Sequence, residues 1–281
     1  MKLDIKNNFK ALFSLKHFWV YMFIFAVITT VSSVIQSSNM HYGSQISSLI
    51  SILSYISLGY LFIMVHKIIN NKPENEEENF KTNFIESAKR GFMALVGIIS
   101  NLFILILTDV IIMFFSIVGY YFFTKKLLKM SELFTVKPLL FILLVIAVFT
   151  VFAIILISHI LPVVFSYNYS IRNMFKWRKI FNVFFKNGYA VKTFSVLGFY
   201  FVTLITIVCV LFVVTFIFNF LALFFAKFLL ETHYIALAFL INLSNVFVPF
   251  AVATLNFILS AMTFRMFANI FKEQLIDGNV G

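Results

Sequence analysis

Asp109 is the one acidic residue set inside a long apolar run, between Ile104-Leu105-Ile106-Leu107 and Val110-Ile111-Ile112-Met113. A carboxylate there costs about 3 kcal/mol or more if it meets hydrocarbon alone, so it must face other helices or a hydrated cavity, or hold its proton. Two chemistries fit such a group. It serves as a relay or contact for a proton, cation or ligand, or it bonds one helix to another. His159 and Lys227 are conceivable partners, and sequence spacing does not decide between them.

A second set of polar residues belongs to the last two apolar runs: Asn219, Asn242, Asn245 and Asn256. Asn242, Asn245 and Pro249 share roughly one helical face, with Asn256 two turns beyond the proline. Amides in that arrangement glue helices together or recapture carbonyls freed by proline, and Pro249 is a hinge candidate. The sharper alternative is a substrate-lined kink. Ser44, Ser47, Ser51 and Ser54 form a small-residue stripe suited to close helix contact.

No phosphate-cradling glycine loop is present, so ATP dependence would require a separate ATPase subunit. There is no His-Glu-x-x-His, no serine elbow and no metal spacing among the five histidines. The expectation is therefore a non-enzymatic protein without cofactor, metal site or catalytic residue. Cys209 is the single cysteine, which excludes an intramolecular disulfide.

The elements that would carry these residues follow from composition. Hydrophobic residues make up 62% and charged residues 12%, too little charge to cover a water-soluble surface. Forty Phe exceed the needs of an aqueous core, while lipid accepts that side chain on every helix face. Four prolines and nine glycines leave the runs uninterrupted, favouring helices over the short alternating segments of a barrel. The fold class is thus all-α: a polytopic transmembrane bundle with six spans at 18–36, 46–69, 92–123, 138–166, 193–226 and 233–264. The first run lacks a small-x-small processing site and reads as a retained helix.

With the N-terminus inside, the inner segments carry 17 Lys and Arg and the outer ones 5. That bias places both termini in the cytoplasm. Lys125, Lys126, Lys129 and Lys137 run against it; a broken 92–123 run would move them inward but expel the basic residues of 167–192. The excess of Lys over Arg suits an AT-rich bacterial genome, and the cytoplasmic membrane is the expected location. The net charge of +11 is accounted for by topology and contact with anionic inner-leaflet lipid, without nucleic acid.

A charged, amphipathic lead-in precedes each pair of spans: around Asn7–Phe13, Asn83–Phe92 and Asn173–Phe185. In the third, Arg172, Lys176, Lys179 and Lys186 recur at helical spacing opposite Ile171, Met174, Phe175, Phe181 and Phe185, with Trp177 beside them. Such a helix can lie among lipid headgroups; the plainer alternative is a loop whose charges fix topology. The chain reads as one membrane domain, 1–281, with pseudo-repeat units at 1–70, 83–166 and 171–271. The acidic Glu74, Glu76, Glu77 and Glu78 read as a solvated connector.

Three stretches carry a family resemblance. They are Leu58-Gly59-Tyr60-Leu61 with Lys67 to Pro73, Phe84 to Arg90-Gly91-Phe92, and Ile160-Leu161-Pro162 through Tyr167, Trp177, Phe181 and Lys186-Asn187-Gly188. Together they resemble a family of six-span bacterial and archaeal membrane proteins classed as a domain of unknown function. The resemblance implies architecture and carries over no active-site residue. The leading expectation is an accessory or permease-like subunit of an envelope transport or antimicrobial-defence system, partnered by an ATPase subunit or by its own copies. The alternatives are a stand-alone transporter of a small solute or cation, using Asp109 and the polar residues of the last spans, and a lipid-organising or assembly protein.

Overall fold

In hydrocarbon every backbone N–H and C=O must be satisfied within the chain, and long apolar runs with few prolines do so as helices. The computed structural model describes residues 4–37, 42–74, 79–127, 132–185, 188–229 and 234–276, with the side chains of 122–139, 222, 225–244 and 276 outside that description. Lys186 and the run Glu76-Glu77-Glu78 lie outside the described residues, as do the side chains of Asn242, Lys227, Lys125, Lys126 and Lys137.

The described chain forms α1 (Ile5–Phe13), α2 (Phe18–Ser37), α3 (Gly43–Ile69), α4 (Phe80–Leu127), α5 (Glu132–Asn168), a 3-10 turn (Ile171–Phe175), α6 (Trp177–Phe185), α7 (Tyr189–Leu229) and α8 (Tyr234–Ile276). Six helices are long and apolar enough to cross a membrane, and the protein is a multi-pass membrane protein. α1 and α6, nine residues each, are the short amphipathic pieces. The lead-in around Asn83–Phe92 is instead the first turns of α4, which continues unbroken through the 92–123 run. α8 likewise passes Pro249 without interruption and runs on beyond 264 to Ile276.

Consecutive spans pair as hairpins, α2 with α3, α4 with α5 and α7 with α8. The hairpins join through α3 on α4, α2 on α8, and α3 and α5 on α8, so α3 and α8 are the central helices. The α3–α4 crossing is set by two glycines. A Cβ on Gly59 would sit 1.8 Å from the Ser87 carbonyl oxygen, and one on Gly91 would sit 1.8 Å from that of Tyr55. Only hydrogen side chains let these backbones touch.

From that crossing about 24 Å of α3 leads back to its start at Gly43, whereas about 54 Å of α4 leads to Leu127. The inner part of the bundle is packed by aromatics such as Phe18, Phe62, Phe165, Phe184, Phe257 and Phe267, all buried. The outer parts of α4, α5 and α7 instead present Phe103, Phe115, Phe149, Phe212 and Phe216 outward. Within the most apolar stretches of α4 and α7 no residue is buried. Much of the high Phe content is therefore spent on the outward faces of the helices and not in the core. At the outer end of the short hairpin, Ser47 and Ser51 from the serine stripe meet Ser32 of α2, with Oγ–Oγ distances of 2.8 and 2.7 Å.

Candidate functional site

The polar chemistry of the described residues gathers at one end of the bundle, where α1, the α3–α4 loop, the end of α5, the start of α7 and the end of α8 meet. Both described ends of the chain lie there, because α1 packs on α8. Asp4 caps α1, its carboxylate accepting from the backbone N–H of Asn7 at 3.2 Å. One turn along, Asn8 presents its carbonyl oxygen to Arg265 Nε at 3.1 Å and to Asn269 Nδ2 at 3.3 Å. The two terminal nitrogens of Arg265 fork onto Glu74, Nη2 donating to Oε1 at 2.9 Å and Nη1 to Oε2. The Arg265 side chain keeps 12% of its surface and Glu74 keeps 26%, so the pair is sheltered but not sealed. One guanidinium thus ties α1, the loop after α3 and α8 together, a geometry lysine cannot copy.

A second knot joins α3, α4 and α5. His66 Nδ1 lies 2.7 Å from the Ser166 carbonyl, which makes that nitrogen the protonated one. Asn70 Nδ2 then donates to the carbonyls of His66 (3.0 Å) and Tyr167 (3.1 Å). These bonds satisfy two of the carbonyls that the end of α5 leaves without a helical partner. Tyr169 follows in the left-handed region, φ 53°. Its ring lies between His66, stacked at 4.5 Å, and the Arg90 guanidinium, 3.8 Å from the ring centroid. The sandwich offsets a backbone cost of about 1–2 kcal/mol. Glu86 holds Arg90 from one turn back, Nε to Oε1 at 2.6 Å.

Beside these knots, Tyr21 donates to Asn83 Oδ1 at 2.9 Å, with Ser87 Oγ 3.2 Å from the same phenol oxygen. Lys192 at the start of α7 pairs with Glu273 near the end of α8. The Lys192–Glu273 pair borders a cavity of ≈ 210 Å³ between α1, α7 and α8, with Asp4, Asn8, Ser195 and Asn269 also facing it. Buried Gln274, next along α8, has no hydrogen-bond partner at either end of its amide among the described residues.

The residues singled out from sequence are dispersed. Asp109 is half-buried, and Thr150 Oγ1 of α5 lies 2.9 Å from its Oδ2. The same hydroxyl is 2.9 Å from the Ile146 carbonyl, so its one proton serves one acceptor at a time. Asp109 therefore bonds α4 to α5, and no ion pair forms on it among the described residues. His159 is elsewhere in α5, buried, with Nδ1 3.0 Å from the Ile155 carbonyl and its ring against Tyr200 and Phe264. Asn245 is exposed and Asn256 half-buried, and neither makes a side-chain hydrogen bond among the described residues. Pro249 is half-buried within α8. Arg172, Lys176 and Lys179 are exposed and Trp177 is half-buried against the core. Among the described residues no three His, Cys, Asp or Glu side chains gather.

Most of the cluster at this end escaped sequence reading because its members lie in segments that look like connectors, and only His66 and Tyr21 fall within apolar runs. Two signals were present: an arginine directly after a span, and an acidic residue, Glu74, directly after Pro73 at the end of a span. Comparison with protein-family models, with curated proteins and with solved structures finds no match to this chain. The six spans and this polar clasp thus define a class, the polytopic α-helical membrane proteins, and no family is shown within it.

Proposed function

We propose that this protein is a non-enzymatic, permease-like accessory subunit of an envelope transport or defence system in a bacterial cytoplasmic membrane. The end of the bundle where both described ends of the chain lie faces the cytoplasm in this reading, which the Lys and Arg bias of the sequence supports. The observation that carries this reading is the length of the long hairpins. At 48 and 41 residues, α4 and α7 measure about 72 and 62 Å against roughly 30 Å of hydrocarbon. Helices so long and so apolar must tilt steeply or be covered by other helices, and association with a partner satisfies the second need.

A stand-alone transporter needs polar groups along one path. Asp109, His159 and Asn256 do not meet, and Arg265, Glu74, His66 and Asn70 are taken up in bonds between elements. The test is gentle extraction of the tagged chain from its native membrane, paired with reconstitution of the pure chain in liposomes. The expected result is a second subunit in fixed ratio and no solute flux from the pure chain. Flux by the pure chain, sensitive to D109N, would replace this reading with the transporter.

A further inference from the structure

α6 does not lie freely on lipid. Its apolar side, Ile180, Val183 and Phe184, is buried against α7 and α8. Met174, in the turn before it, is buried over Gly97, where an added Cβ would come 2.3 Å from the Met174 sulfur. Two aromatics of this segment stay uncovered, Phe175 at 40% and Phe181 at 48% of their surface. A pocket of ≈ 40 Å³ opens between α5, α6 and α8, lined by the sequence neighbours of these rings, Lys176 and Ile180. Tyr167, Asn173, Lys179 and Phe271 also line it. The Asn173 amide is fixed by Asn168, Nδ2 to Oδ1 at 2.9 Å.

We propose that this pocket seats the phosphate of an anionic phospholipid headgroup. Two lysines three positions apart, an asparagine and a tyrosine line it and can supply donors, and no carboxylate lines it among the described residues. No Asp or Glu occurs in the sequence between Glu132 and Glu231, so the segment around the pocket has no acidic neighbour along the chain. The pocket is too small for an acyl chain, and uncovered Phe175 and Phe181, each one residue from a lining residue, offer apolar surface on the same segment. A headgroup on the lysines with its chains against those rings uses both features, whereas a free phosphate ion would use only the first. The site depends neither on a partner subunit nor on which way the bundle faces.

The test uses the purified, delipidated full-length chain in a neutral detergent, titrated with dioleoyl phosphatidylglycerol or dioleoyl phosphatidylcholine and read by native mass spectrometry. Phosphatidylglycerol should bind more tightly. K176Q and K179Q should each weaken it about fivefold and together about 25-fold. K176R/K179R should retain binding. R178Q changes an exposed charge outside the pocket and should leave binding unchanged. Inorganic phosphate should not displace the lipid. Equal binding of the two lipids, a double glutamine variant that binds like the parent, or an R178Q loss as large as the double would each overturn the site. Displacement by inorganic phosphate would reassign it to a free anion. The single variants carry the test should the double fail to fold.

Discussion

Arg265, within α8, forks onto Glu74, in the loop between α3 and α4, while its third nitrogen donates to Asn8 of α1. Residues 191 positions apart in sequence are thereby locked at one end of the bundle. The geometry explains how a loop that reads as a solvated connector is held: its first acidic residue is the acceptor for the arginine that follows the last apolar run.

Removing either side of that pair leaves a sheltered charge without its partner. R265A or E74A should lower stability by about 1–3 kcal/mol, the size expected for hydrogen bonds to charged groups. The double variant should lose less than the sum, and R265K should recover only part, since an ammonium cannot make both bonds. Thermal unfolding of the detergent-purified variants, arranged as a double-mutant cycle, measures this. Additive losses would mean the two side chains do not interact.

The α3–α4 crossing makes a sharper demand. G59A and G91A each place a methyl group against backbone carbonyls, which cannot swing aside as a side chain can. Each should cost about 1–3 kcal/mol or more, and leucine at either position should abolish the folded monomer. Gly198 has nothing within 4 Å of its added Cβ, so G198A should be harmless or slightly stabilising. Monodisperse yield and melting temperature compare the three. An unaffected G59L would show that the helices do not cross there.

Asp109 shares one hydroxyl proton with a helix carbonyl, so its bond to Thr150 is weak. D109N and T150V should each cost only about 0.6–1.7 kcal/mol, in the range of hydrogen bonds between membrane helices. Both variants should stay folded. A loss several times larger, read by unfolding in mild detergent, would mean that the carboxylate is buried more deeply than its half-exposed position indicates.

Cys209 offers a probe that needs no substitution. It is exposed on α7, among side chains with no buried neighbour in that helix's most apolar stretch. Hydrocarbon excludes a charged, water-soluble maleimide, so the reagent should leave Cys209 unlabelled in intact membranes and label it after denaturation in detergent. Rapid labelling in membranes, followed by mass spectrometry, would put this face of α7 in water.

The membrane-spanning character was legible because a single physical signal, long apolar runs almost free of proline, dictates helices in lipid. The ends of the runs were less legible. Phe80–Ala88 looks polar enough to be a separate lead-in, yet Gly91 brings α4 so close to α3 that the helix continues through both parts. Arg265 looks like the boundary of the last span, but Glu74 neutralises it and α8 carries on. Site residues were the hardest to read. Asp109 drew attention as a charge in an apolar run, whereas the groups that meet in space, Asn8, His66, Asn70, Glu74, Arg90, Tyr169 and Arg265, come from five separate stretches. No periodicity links them.

The accessory-subunit reading meets its most direct test in native-lipid extraction. The tagged chain would be cut from its own membrane with a copolymer, without detergent, and the mass and composition of the particles measured. A complex with a second, different chain at a fixed ratio is the predicted result, with the partner covering the outer parts of α4 and α7 in crosslinks. Particles holding this chain alone, together with solute flux from them after transfer to liposomes, would contradict it.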